Sequence, residues 1–160
     1  MNRKIKTIIL SIIVVSIVLI FMLSKNNSSL SVPSTEELGS ITLVDIVNEK
    51  GYEKTTISKK TDISKLLEIL KNSERTNKES ISDFPSKTKF TTVLFKFKLG
   101  GNSFRSIYED NNSFYIDQPY EGIFKIDSKD IYLLDEIKKN GSKENIVIPI
   151  SDIIKVNFWG

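Results

Sequence analysis

The sequence predicts an α+β protein: an N-terminal transmembrane helix, then an antiparallel β-sheet of four to six strands in meander order, packed by one or two helices. Three observations carry this. An uncharged apolar run extends from Thr7 to Leu23, apolar residues alternate with period two from Phe90 to Ile126 between Gly- and Asn-containing turns, and an apolar stripe with helical spacing lies between Asp62 and Asn72.

The first run follows Arg3, Lys4 and Lys6 and is interrupted only by Ser11 and Ser16. As a helix its 17 residues span about 25 Å, the short end of what a bilayer needs, and Lys6 can snorkel to lengthen it. Hydroxyls at Thr7, Ser11 and Ser16 can bond back to the backbone, so they do not oppose insertion. Positive charge precedes the run, which places the N-terminus in the cytoplasm and the rest outside the cell membrane. A cleaved signal peptide ending near Ser29-Leu30-Ser31 is the alternative; either way the remainder is exported.

Residues 24–39 are rich in Ser and Asn, contain Pro33 and lack an apolar period, which reads as a flexible stalk. An extracytoplasmic domain is expected over residues 40–140, opening with a β-branched hairpin, GSITLVDIVN and YEKTTIS. Thr61-Asp62 offers a cap for a helix whose Ile63, Leu66, Leu67 and Leu70 fall on one face. Ser73 to Lys89 is polar and broken by Pro85, the pattern of a long loop.

From Phe90, Val93, Phe95, Phe97 and Leu99 face one way, and turns at Gly100-Gly101-Asn102, Asp110-Asn111-Asn112 and Pro119-Tyr120-Glu121-Gly122 join four strands. In the last turn Pro119 presets the first position and Gly122 is expected to take the left-handed one. Ser128 is expected to cap a final helix with Ile131, Leu134 and Ile137 inward, Lys138 and Lys139 complementing its dipole, and Gly141 at its stop. Residues 141–160 are apolar with Pro149 inside, which suggests an edge strand or a docked extension.

Composition removes much chemistry. The chain has no Cys, His or Ala, and 20 Lys against 3 Arg. Without Cys there are no disulfides or thiol nucleophiles, and without His the commonest general base and metal ligand is missing. The net charge of +3 equals the three basic residues before Thr7, so the remainder is balanced and carries no nucleic-acid footprint.

Four candidate sites stand out. Asp110, Asn112, Ile116, Gln118 and Glu121 fall at calcium-loop positions, but Phe114 and Tyr115 occupy places that need a ligand and a glycine, so no metal or other cofactor is expected. Asp117 and Glu121 flank one turn, as an acid-base pair would, yet nothing in the sequence shows the burial that such a pair needs. The loop TNKESISDFP, Thr76 to Pro85, reads either as an Asp-initiated turn with Phe84 on the core or as a recognition loop. In YIDQPYEGIF, Pro119 and Gly122 are explained by turn geometry, whereas Gln118 and Tyr120 are not.

The third and fourth stretches together resemble an uncharacterised Gram-positive family, domain of unknown function 5301. Thr76, Ser80, Asp83 and Pro85 match its first motif; Tyr115, Ile116, Gln118, Pro119, Tyr120, Gly122 and Ile123 match its second. Phe114 stands for a Tyr, Asp117 for a Glu and Phe124 for a Tyr. The resemblance implies an envelope protein and supplies no catalytic residues. The expectation is a membrane-anchored binding or structural module, not an enzyme, with Asp83, Gln118, Tyr120 and Glu121 as contact residues for an envelope-protein or cell-wall partner. A subunit of a membrane complex and a carboxylate-dependent hydrolase are the alternatives.

Overall fold

The computed structural model describes residues 12–17, 19, 29–48, 51–87 and 89–146. Eight strands form one antiparallel sheet: β1 (Leu38–Asn48), β2 (Gly51–Ile57), β3 (Glu74–Arg75), β4 (Thr91–Phe97), β5 (Asn102–Asp110), β6 (Ser113–Gln118), β7 (Gly122–Ile126) and β8 (Ser142–Ile146). Their spatial order is β3-β7-β6-β5-β4-β1-β2-β8. Two helices, α1 (Lys60–Lys71) and α2 (Ser128–Asn140), connect strands near opposite edges and share one face of the sheet.

Register explains the core. Ile41 stands between Phe95 and Ile57, and Leu43 between Val93 and Thr55, so alternate β1 residues meet large apolar partners on the helix side. Ile63, Leu66, Leu67 and Leu70 of α1 and Leu134 and Ile137 of α2 close over them. Each fully buried Ile, Leu or Phe contributes about 1.5–3 kcal/mol of transfer free energy. A half-buried ion pair ties α2 to this frame: the Lys138 ammonium lies 2.8 and 3.0 Å from the two Asp45 oxygens, and Thr91 also donates to Asp45.

Several expectations change. The sheet has eight strands instead of four to six, because Glu74–Arg75, read as loop, pairs with Lys125 and Phe124, and Ser142–Ile146 pairs with β2 as the expected edge strand. Residues 147–160 lie outside the described residues. α1 begins at Lys60 with no side-chain cap, leaving Asp62 in its first turn where the dipole favours an acid. Asp127, not Ser128, caps α2, accepting from the Lys129 amide at 3.0 Å.

The described part of the stalk is docked instead of free. Leu30 is buried in the core, Val32 packs beside it, Arg105 donates to the Ser31 carbonyl at 3.1 Å, and the Lys98 ammonium holds the Glu36 carbonyl at 2.7 Å. Apolar side chains at Leu30 and Val32 drive this docking, and the surrounding Ser residues mask their signal.

The expected span from Thr7 to Leu23 is described only at residues 12–17 and 19, which are helical with exposed apolar side chains. There the Ser16 hydroxyl donates to the Ile12 carbonyl at 2.8 Å. Among the described residues no helix is long and apolar enough to cross a membrane.

Gly141 is extended (φ −79°, ψ 160°), not left-handed, so its reason is space. A Cβ there would collide with the Thr55 methyl and sit 3.2 Å from the Thr56 carbonyl. Gly141→Ala is therefore expected to cost about 1–3 kcal/mol as overpacking, and Thr55→Ser, which removes the methyl, recovers part of that in the double variant. Urea unfolding of the four proteins checks this; strictly additive effects would refute the collision.

Candidate functional site

The second face of the sheet is covered by the segment that follows β3. The Thr76 amide and hydroxyl both donate to the Ile123 carbonyl, at 2.9 and 2.7 Å, and the Ile123 amide donates to the Lys78 carbonyl at 3.3 Å. Farther along, the Lys78 and Lys87 ammonium groups converge on Asp110 at 3.4 and 2.8 Å. The Lys87 hydrogen bond leads the effects that hold the Asp110 carboxyl below its usual range. Phe84 stacks on Phe104, with ring centroids 5.4 Å apart, and lies 5.9 Å from Phe90. Thus Phe84 packs on this face, as the structural reading of the loop requires.

The two motif stretches meet along this seam. Ser80 comes beside Asp117, and Asp83 comes beside Tyr120. At the tip the Glu121 amide donates to the Gln118 carbonyl at 3.1 Å, closing a turn with Pro119 first and Tyr120 second. Tyr120 has φ +61°, the left-handed conformation that a Gly or Asn usually takes at this turn position. Gly122, expected to be left-handed, also has a positive φ, +154°, and it makes room for Arg75: a Cβ would lie 3.0 Å from the guanidinium, which also donates to the Glu121 carbonyl at 2.8 Å. The Asp83 charge beside it pushes the Tyr120 phenol up from its ordinary value, with a further contribution from burial.

Of the four expected contact residues, Asp83, Tyr120 and Glu121 are exposed, Tyr120 at 69%. Gln118 is not on that surface. At 1% exposure it points to the helix side, and neither amide atom has a hydrogen-bond partner among the described residues. Its neighbourhood holds two guanidinium groups, Arg75 over the Phe124 ring at 5.5 Å and Arg105 over the Phe95 ring at 5.8 Å. Burial lowers the Arg105 pKa, and the Glu121 charge opposes that.

Under the loop lies a cavity of about 240 Å³ walled by Lys78, Ser80, Lys87, Tyr108, Asp110 and Asp117, among others. Asp117 is 5% exposed, and burial pushes its carboxyl up while the Ser80 hydroxyl works against this. Even so, Asp117 Oδ1, Ser80 Oγ and Ser106 Oγ have no well-formed hydrogen bond among the described residues. Burial and the charges of Asp117 and Asp110 push Tyr108 up to about 12, so its hydroxyl remains a donor at neutral pH. The cavity therefore offers unsatisfied acceptors to a hydrogen-bond donor. Sequence reasoning missed it because the polar residues of the covered face, Thr92, Ser106 and Asp117, carry an exposed-face pattern.

A larger groove of about 610 Å³ runs past Glu74, Asn112, Asp127 and Lys129. Asp127 is occupied there as the α2 cap and as a 3.2 Å partner of Lys129. The calcium-type residues do not converge: Asp110 of β5 pairs with Ser113 at the start of β6, and Gln118 ends β6 about 17 Å farther along. Among the described residues no group of three or more acidic side chains is placed to hold a metal ion.

Two outcomes follow from this geometry. Tyr120→Gly removes a left-handed bulky residue and is expected to raise stability by about 1 kcal/mol relative to Tyr120→Ala, which keeps the strain; equal urea midpoints would refute it. Asp117 ionises at higher pH folded than unfolded, so its contribution to stability is full below the ordinary value of 3.8 and is lost as pH rises through the raised one. Asp117→Asn cannot ionise, so it gains stability over the parent at pH 7 and not at pH 3; a gain that is the same at both would contradict the burial effect.

Comparison with known proteins places this geometry in a family. No curated protein matches the chain. The NMR structure of a protein from Ruminococcus gnavus is similar, at 31% identity and a TM-score of 0.52, over 62% of this chain and 92% of that one. The family model DUF5301, described as a domain of unknown function (DUF5300), matches residues 26–125, from the docked N-terminal segment through the Tyr120 tip. The chain belongs to that family.

Proposed function

We propose that this chain is a membrane-tethered cell-envelope protein of a Gram-positive cell, with its N-terminus in the cytoplasm and its sheet domain outside, where the domain serves as a non-enzymatic binding or structural module. The observation that carries the binding reading is Tyr120, 69% exposed, left-handed and held beside Asp83. A large aromatic in an unfavourable conformation at a tip persists only when its surroundings over-determine it, and such strain concentrates at contact sites. The tether reading draws on the basic residues before Thr7 and the uncharged run after them.

The hydrolase alternative gains one observation, the buried carboxyl of Asp117, while its supposed partner Glu121 stays exposed at the tip. A membrane-complex subunit would use the apolar tail, which falls largely outside the described residues. Crosslinking of the full-length chain on intact cells tests the proposal. Tyr120→Ala and Asp83→Ala are expected to change stability by no more than about 1 kcal/mol while abolishing the adducts that the parent forms through the domain. Adducts that persist unchanged in both variants would sink the contact role.

A further inference from the structure

The direction of the strands decides which end of the domain faces the tether. β1 starts, β4 and β6 finish, and β5 and β7 start at one end of the sheet, so the β4–β5 and β6–β7 turns project from the same end. The N-terminal segment also reaches the domain there. Ser31 binds Arg105, which neighbours the final β6–β7 row of Gln118 and Gly122, and Lys98 of the β4–β5 turn bonds to Glu36 and Glu37.

That end carries exposed apolar tips. Leu99 is fully exposed beside Gly100 and Gly101, both with positive φ, and Tyr120 crowns the next turn. With neighbouring strands about 4.8 Å apart, the two turns are offset sideways by about 10 Å, and the β4–β5 turn reaches about three residues, roughly 10 Å, farther along the strands. Ile81, also exposed, sits between Ser80 and Asp83, the loop residues that reach Asp117 and Tyr120. Exposed Lys96 and Lys98 flank the Leu99 turn. Leu beside Tyr and Lys is the side-chain mixture that suits a membrane–water interface, where apolar stems enter and polar ends stay wet.

The tether is short. From Leu23, where the apolar run ends, to Leu30, already in the core, there are seven residue steps, at most about 25 Å of extended chain. We propose that the Leu99–Tyr120 end of the domain docks on the outer lipid surface, with Leu99, Tyr120 and Ile81 as its interfacial contacts. This rests on the tether reading above and names the partner of the same tip. A contact too weak to recruit a free protein suffices here, because the tether keeps the effective concentration of the surface high.

Site-directed nitroxide labelling tests it cleanly, since the chain has no Cys. The full-length protein is reconstituted in vesicles of phosphatidylcholine with phosphatidylglycerol, carrying one label at a time at Val15→Cys, Leu99→Cys, Tyr120→Cys or Glu109→Cys; the last site lies at the far end of β5. Accessibility to dissolved oxygen is compared with accessibility to a water-soluble nickel chelate. Labels at 15, 99 and 120 are expected to favour oxygen at least threefold more than the label at 109. A buried label at 15 with labels at 99 and 120 as wet as 109 overturns the docking and leaves the tether standing. A wet label at 15 overturns the tether and the docking with it. Should Tyr120→Cys fail to fold, Leu99→Cys and Ile81→Cys decide the matter.

Discussion

The bonds from Thr76, Lys78 and Lys87 to Ile123 and Asp110 hold one chain segment across the second face of the sheet, and the properties of the candidate site follow from that closure. An antiparallel sheet with helices on one side ordinarily leaves its other face to water. Here β4, β5 and β6 are buried on both faces over part of their length, so Ser106 and Asp117 lose solvent without gaining full sets of partners among the described residues. Unmade hydrogen bonds in such a place cost about 1–3 kcal/mol each. The apolar stack of Phe84 on Phe104 and the two lysines on Asp110 offset part of this cost, and the cavity beneath them stays polar.

That same closure separates what was legible from what was not. The meander of β4 to β7 was readable because its turns fall on Gly, Asn and Pro and its helix-side residues alternate strictly, from Val93 through Ile126. The α1 stripe was readable for the same reason, since Ile63, Leu66, Leu67 and Leu70 repeat with helical spacing. β3 was not: two polar residues, Glu74 and Arg75, have no period, and only the free edge of β7 makes them a strand. The docking of residues 30–38 was hidden by Ser-rich surroundings, because Leu30 and Val32 are too few to register as a pattern yet enough to bury.

The tip shows where local rules yield to tertiary ones. Turn chemistry assigns a positive φ to Gly122, which has φ +154°, and Arg75 also occupies the space where a side chain at 122 would stand. Tyr120, a residue that resists it, takes a positive φ as well, and its phenol lies beside Asp83. Gln118 joins Tyr120 as an expected contact residue because turn geometry explains neither and both match the family's second motif. Strand alternation sends consecutive side chains to opposite faces, which puts Asp117 in the cavity and Gln118 among the arginines. The motif is thus an internal seam for most of its length, joining Thr76 to Ile123 and Ser80 to Asp117, and only its last pair reaches the surface.

Residues 30–38 alter the mechanical character of the whole chain. A free segment of 16 residues from Ser24 to Gly39 could extend about 55 Å and would let the domain turn any side to the membrane. Within that segment, Leu30, Ser31, Glu36 and Glu37 are all held on the domain. In the tethered arrangement proposed above, the attachment point would sit beside the β4–β5 and β6–β7 turns, so that rotation about the tether would keep that end toward the bilayer and the β5–β6 turn away from it. Orientation of this kind needs no strong lipid contact. In that proposed arrangement it would follow from the packing of Leu30 and Val32, and it would place Tyr120, the positive-φ aromatic among the described residues, on the side facing the surface.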